Sequence, residues 1–128
     1  PMGLGAALHD ANVPTVIFVG DGGIGGPVAE LKIAVQAKLP VMVVLLSDGG
    51  YGSVRTRAIR DGLIQSPLLL DQPSWLDAIS GLGLPGVRVE NMDGFNDALD
   101  LWRPDSGPVF IEAGFDADAY QAMTDGIR

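Results

Sequence analysis

Two uninterrupted apolar runs frame the chain. Residues 13–20 (VPTVIFVG) and 40–46 (PVMVVLL) carry β-branched, aliphatic and aromatic side chains with no polar alternation, the pattern of strands buried on both faces of a parallel sheet. Between them Val28, Leu31, Val35 and Leu39 recur at i, i+3, i+7 and i+11, on one face of a helix. Pro27 suits the first helical position and Pro40 stops the run, so a helix is expected over residues 27–39. Together these segments make a strand-helix-strand unit, whose crossover is right-handed by the general rule.

The alternation continues to the end of the chain. Residues 1–8 (PMGLGAAL) have small-residue helix content with no start signal ahead of them and read as the tail of a helix. A short helix carrying Arg55, Arg57 and Arg60 is expected over 51–60, then an irregular excursion over 61–72. Ser74 caps a helix over 75–79, residues 87–89 form a short strand, 95–102 another helix and 108–112 the last strand. Tyr120, Met123 and Ile127, at i, i+3 and i+7, predict a terminal helix that docks on this domain or on another. The class is therefore α/β: a three-layer sandwich, mostly parallel sheet with helices on both faces. A chain of 128 residues builds one core and not two, so residues 1–128 are read as one domain.

Composition narrows the chemistry. With 16 acidic against 8 basic side chains and a net charge of -8, neither nucleic acid nor an anionic membrane surface is the expected partner. The absence of cysteine excludes disulfides, thiolate metal sites and a Cys nucleophile, and a cytoplasmic location is expected. A single histidine excludes an all-histidine metal site. The longest apolar stretch, 39–46, is too short to span a bilayer.

In an open parallel sheet, ligands bind beyond the carboxyl ends of the strands. The loops there are Gly20-Asp21-Gly22-Gly23-Ile24-Gly25-Gly26 and Ser47-Asp48-Gly49-Gly50-Tyr51-Gly52. Glycine lets backbone N–H groups approach a ligand, and the first loop opens a helix whose positive end favours phosphate. Each loop also places a carboxylate at a strand tip. Two carboxylates beside a phosphate repel it unless a hard divalent cation lies between them, and magnesium is commonly shared in that way.

Gly20-Asp21-Gly22, then the 24 residues from Gly23 to Leu46, then Ser47-Asp48-Gly49-Gly50-Tyr51-Gly52 resembles the thiamine diphosphate motif, Gly-Asp-Gly followed some two dozen residues later by Asn-Asn. The likeness is to the acetolactate synthase, 2-oxo acid decarboxylase and benzaldehyde lyase superfamily. It extends to Pro1-Met2-Gly3-Leu4-Gly5-Ala6-Ala7, Glu30-Leu31, Ala34-Val35, Leu39-Pro40-Val41 and Gly83-Leu84-Pro85-Gly86-Val87-Arg88-Val89, nearly the whole chain.

The resemblance implies the C-terminal, diphosphate-binding domain of such an enzyme. Asp21 and Asp48 are then Mg²⁺ ligands by their side chains and Gly50 by its carbonyl. Gly20, Gly22, Gly23, Asp48 and Tyr51 bind the cofactor, with the N–H groups of Gly22 and Gly23 on diphosphate oxygens. Ser47-Asp48 departs from Asn-Asn by keeping an oxygen ligand and adding a negative charge. Gly25-Gly26-Pro27 is smaller than in relatives and is expected to widen the pocket beside the cofactor.

The implied activity is decarboxylation of a 2-oxo acid, or ligation or cleavage of a carbon–carbon bond, with a 2-oxo acid or aldehyde substrate. The implied partner is a pyrimidine-binding domain or subunit, within a homodimer or homotetramer. No residue of the chain is assigned the activating glutamate, so these 128 residues alone are expected to be inactive.

Two other readings stay open. Gly20-x-Gly22-x-x-Gly25 after a strand, with Asp48 ending the next, also satisfies the dinucleotide-binding fingerprint, although Asp21 would face the pyrophosphate with no metal. A non-catalytic domain that keeps the fold for assembly is the other. Among single residues, His9 is expected on a helix surface, Trp75 and Trp102 in a core or interface, and the three arginines either on a solvated face or gripping a substrate carboxylate.

Overall fold

The computed structural model describes residues 1–70 and 73–119. The Tyr120, Met123 and Ile127 stripe and the end of the irregular excursion, 71–72, lie outside the described residues. Four parallel strands form one sheet in the order β1 (Thr15–Gly20), β2 (Val41–Ser47), β4 (Val109–Gly114), β3 (Gly86–Val89). The helices are α1 (Met2–His9), α2 (Asp21–Ile24), α3 (Leu31–Ala37), α4 (Gly52–Arg60), α5 (Trp75–Gly81) and α6 (Met92–Leu101). Strand and helix alternate as the sequence predicts, and the result is a three-layer α/β sandwich.

The single core expected from the length is split by the sheet into two separate apolar clusters, one on each face. Val41, Val43, Leu45 and Phe110 pack on one side with Leu4 and Ala7 of α1, Leu31 and Ala34 of α3, and Ile79 of α5. On the other side Met42, Val44, Val89 and Ile111 meet Phe95 and Ala98 of α6 and Trp102 beyond it. Residues of opposite parity along β2 therefore serve opposite cores, which is why its run shows no polar alternation.

The first apolar run departs from expectation. Instead of being buried on both faces, β1 is an edge strand: Ile17 and Val19 pack inward, while Val16 is 48 % and Phe18 65 % exposed. An unbroken apolar run records that both faces are apolar, not that both are covered. The expected helix over 27–39 is also divided, into a 3-10 turn, Val28–Glu30, and α3. Lys38, at φ 48, ends α3, with the Leu39 N–H donating to the Ala34 carbonyl at 3.0 Å. This left-handed cap turns the chain before Leu39, whose position ahead of Pro40 disfavours helical backbone. The helix α6 starts at Met92 because the Asn91 side chain accepts the Gly94 N–H at 2.9 Å. Among the described residues no helix is long and apolar enough to cross a membrane.

The register fixes where the site lies. Gly20 pairs with Leu46 and Ser47 with Gly114, so β1, β2 and β4 end almost level and their exit loops share one edge of the sheet.

Candidate functional site

The chain leaves β1 at Gly20 and turns at once into the single helical turn α2, with Asp21 as its first residue. This turn, rather than the start of α3, is the helix that the glycine loop opens, so the contribution of a long helix dipole is small. What remains is local: N–H groups in the first turn have no acceptor within the helix. The Asp21 side chain is 4 % exposed. Its Oδ1 accepts the Ser47 hydroxyl at 3.1 Å and the Trp75 indole N–H at 2.8 Å, and its Oδ2 accepts the Asp48 N–H at 2.9 Å. One carboxylate thus ties the tip of β1 to the exit of β2 and the start of α5.

The second loop is held from within and from outside. Asp48 Oδ1 accepts the Gly50 N–H at 3.1 Å, and Gly49 takes φ +72, a conformation that glycine adopts without strain. The Gly49 carbonyl accepts the Leu70 N–H at 2.8 Å and the Tyr51 N–H donates to the Leu68 carbonyl at 2.9 Å, so Gly50 bridges Leu69 in antiparallel fashion. A Cβ at Gly50 would lie 2.5 Å from the Leu68 carbonyl oxygen, which explains the glycine.

Between the loops lies a cavity of about 490 Å³. Its wall brings together all of Gly20, Asp21, Gly22, Gly23, Asp48, Gly50 and Tyr51, with Leu46, Ser53, Val54 and Phe115. The Tyr51 ring lies against the first loop: a Cβ on Gly22 would stand 2.7 Å from its Cδ1. Gly25 and Gly26 do not line this cavity, so they do not widen it. The space at Gly25 is instead met by the Trp75 ring, whose Cη2 would lie 3.9 Å from a Cβ there. Of the three arginines none lines the cavity. Arg55 pairs with Asp118 at 3.1 Å and Arg60 with Asp61 at 3.0 Å. His9 is on an exposed helix surface and Trp102 donates to the Gly107 carbonyl at 3.0 Å, both outside the site.

Sequence reasoning missed two parts of the surroundings. Trp75 reaches Asp21 from 54 positions away, and Glu112, 1 % exposed, lies in the middle of β4 behind the site. Glu112 Oε2 accepts the Ser74 hydroxyl at 2.5 Å and the Leu76 N–H at 2.8 Å, while Oε1 accepts Arg88 Nη1 at 2.7 Å. Its burial inside an apolar stretch is tolerable because all of these donors converge on it. The result fixes the start of α5, from which Trp75 projects.

Burial pushes the Asp48 carboxyl up from its ordinary value, the Gly50 N–H opposes this, and the negative charge of Asp21 adds to the rise. A cation between the two would relieve both. Among the described residues no group of three or more His, Cys, Asp or Glu side chains gathers as a metal site. A cation here would have two carboxylates and would complete its shell from a carbonyl, ligand oxygens and water, as Mg²⁺ commonly does. The residues present fit a magnesium-bridged phosphate.

Over residues 1–113 the sequence matches the family described as "Thiamine pyrophosphate enzyme, C-terminal TPP binding domain". It is 28 % identical over 118 residues to the acetolactate synthase isozyme 2 large subunit of Escherichia coli (strain K12), covering 91 % of this chain and 22 % of that one. It is 30 % identical over 121 residues to a probable pyruvate decarboxylase of Schizosaccharomyces pombe, covering 92 % and 21 %. The chain thus spans about a fifth of the length of these curated relatives. The fold matches the 4-hydroxybenzoylformate decarboxylase of Rhodococcus jostii RHA1, which is thiamine diphosphate-dependent, with a TM-score of 0.75 at 25 % identity over 90 % of this chain and 22 % of that one. It also matches the benzoylformate decarboxylase of Polynucleobacter necessarius, with a TM-score of 0.73 at 23 % identity over 91 % and 22 %. With nearly its whole length matched and both glycine loops at one cavity, the chain belongs to the family of thiamine pyrophosphate enzyme C-terminal, cofactor-binding domains.

Proposed function

We propose that the chain binds the diphosphate of thiamine diphosphate through Mg²⁺. Asp21, Asp48 and the Gly50 carbonyl are the metal ligands, the N–H groups of Gly22 and Gly23 hold diphosphate oxygens, and Gly20 and Tyr51 complete the cofactor wall. The observation that carries this reading is the buried Asp21 carboxylate, hydrogen-bonded to Ser47 and to the N–H of Asp48, whose own carboxylate belongs to the same cavity wall. Asp48 after the second strand would suit a dinucleotide site as well, but Asp21 inside the first turn would there face the pyrophosphate with no metal to neutralise it.

When bound, thiamine diphosphate supplies an electron sink next to a carbonyl carbon. The residues here would anchor its charged end and so restrict the freedom of the rest of the molecule. The complete protein, on this reading, decarboxylates a 2-oxo acid or joins or cleaves carbon–carbon bonds, with a 2-oxo acid or aldehyde as substrate. The names of the synthase and decarboxylase relatives support that class. Its partner is a pyrimidine-binding domain or subunit, in a cytoplasmic homodimer or homotetramer. The uncovered face of the edge strand β1, at Val16 and Phe18, offers apolar surface of the kind such a partner covers.

The test is calorimetric titration of the chain with thiamine diphosphate, with Mg²⁺ and with excess chelator, beside the variant Asp21→Asn. Saturable binding that needs Mg²⁺ and is lost in the variant, at unchanged circular dichroism, is expected. Equal binding under chelator would overturn the reading.

A further inference from the structure

The Asp21 carboxylate has two oxygens with about four lone-pair directions between them. Trp75 Nε1 and Ser47 Oγ fill both directions of Oδ1, and the Asp48 N–H fills one of Oδ2. Among the described residues, the direction left over is on Oδ2. Of the three donors, Asp48 N–H and Ser47 Oγ belong to the loop that a ligand would contact, whereas the indole comes from α5, outside it. We infer that Trp75 is a positioning residue that locks the Asp21 carboxylate so that Oδ2 is the oxygen presented to a divalent cation. The inference rests on the Mg²⁺ reading proposed for this site and adds to it the group that sets the ligand's orientation.

The indole suits that task. Its N–H is a neutral donor, so it holds the carboxylate without cancelling the charge that a cation needs, as a paired lysine or arginine would. Its position is set by a rigid element: the Ser74 hydroxyl and the buried Glu112 carboxylate both accept the Leu76 N–H and fix the first turn of α5. Its body packs on the core beneath, with the ring edge near Gly25. A tryptophan that served packing alone would satisfy its N–H on any nearby acceptor, as Trp102 does on the Gly107 carbonyl. Trp75 instead spends its N–H on the carboxylate at the mouth of the cavity.

Removing a donor that orients a metal ligand typically weakens metal binding 10–100-fold. Trp75→Phe keeps the aromatic body and deletes the donor. With thiamine diphosphate saturating, Mg²⁺ titration of this variant should give a dissociation constant about 10–100-fold above that of the parent, with the circular dichroism unchanged. Independently, ¹⁵N-labelled parent chain should show two indole N–H signals, assigned with Trp102→Phe. The Trp75 signal should move when Mg²⁺ and thiamine diphosphate are added, and the Trp102 signal should stay.

If the parent binds no Mg²⁺ with thiamine diphosphate, the proposed function fails and this inference with it. If the parent binds, Asp21→Asn does not, and Trp75→Phe binds with the parent's constant, the inference alone is overturned. Should Trp75→Phe fail to fold, the parent's spectrum decides: a Trp75 signal that does not respond to Mg²⁺ overturns the inference, and one that does supports it.

Discussion

Arg88 on the edge strand and Glu112 on its neighbour stand side by side in register, their side chains joined at 2.7 Å, with the carboxylate buried and the guanidinium 42 % exposed. The arginine also pairs with Glu90 at 2.6 Å, so it keeps an acid partner if Glu112 is removed. The carboxylate is in the opposite position: without Arg88 it retains, among the described residues, Ser74 and the Leu76 N–H. Deleting one partner of a buried pair costs most when the group left behind is the buried one. Arg88→Met should therefore destabilise the chain more than Glu112→Gln, with costs of roughly 1–3 kcal/mol in each case, since groups that lose charged hydrogen-bond partners fall in that range. Urea midpoints at constant slope report the order, and a larger loss in Glu112→Gln would contradict it.

Gly22 and Gly50 are both crowded, but by different neighbours. A Cβ on Gly22 meets the Tyr51 ring at 2.7 Å, and one on Gly50 meets the Leu68 carbonyl oxygen at 2.5 Å. The ring sits at the end of a side chain that can swing, whereas the carbonyl belongs to the backbone bridge to Leu69. Gly50→Ala should cost roughly 1–3 kcal/mol, the range for forced overpacking, and Gly22→Ala less. Combining Gly22→Ala with Tyr51→Ala should cost less than the sum of the single changes, because the second removes the obstacle. A double-mutant cycle on unfolding free energies measures this, and strict additivity would refute the contact.

Much of this arrangement can be read before any coordinates. The strands, the two glycine loops and the acidic residues at their tips follow from apolar runs and turn chemistry, which are local signals. Trp75 could not be found that way, since a side-chain hydrogen bond spanning 54 positions has no period. The exposure of Val16 and Phe18 was also hidden, because coverage depends on what packs against a strand and not on the strand itself. The place of β4 between β2 and β3 is a matter of topology, and the apolar run of residues 108–111 would suit an edge or a centre equally.

The raised Asp48 carboxyl has a stability consequence in the metal-free chain. Its value in the folded state lies above the ordinary 3.8, so the fold binds this proton more tightly than the unfolded chain does. Stability from this group is present below the ordinary value and is lost as pH rises through the folded-state value. At neutral pH the ionised Asp48 therefore weighs against the fold. Asp48→Asn should be more stable than the parent at neutral pH under chelator, and its advantage should shrink as pH falls through the raised value and vanish below the ordinary one. An advantage that grew on acidification would show that the sign is wrong.

Activity provides the last test. Apart from the carboxylates of Asp21 and Asp48, assigned to the metal, the described wall of the cavity has only the hydroxyls of Tyr51 and Ser53 as side-chain groups able to exchange a proton. Neither is a carboxylate, an imidazole or an amine, and the open cavity does not exclude water from a reacting centre. On the proposed reading these residues hold the diphosphate end of the cofactor, while activation and shielding of its other end require groups the described wall does not contain. The 128-residue chain, saturated with Mg²⁺ and thiamine diphosphate, should therefore release no CO₂ from 2-oxo acids above the rate with cofactor alone. Adding a separately produced pyrimidine-binding half should restore turnover if the two dock. Turnover by the purified chain by itself would place the activating group within residues 1–128 and would refute the division of labour proposed here.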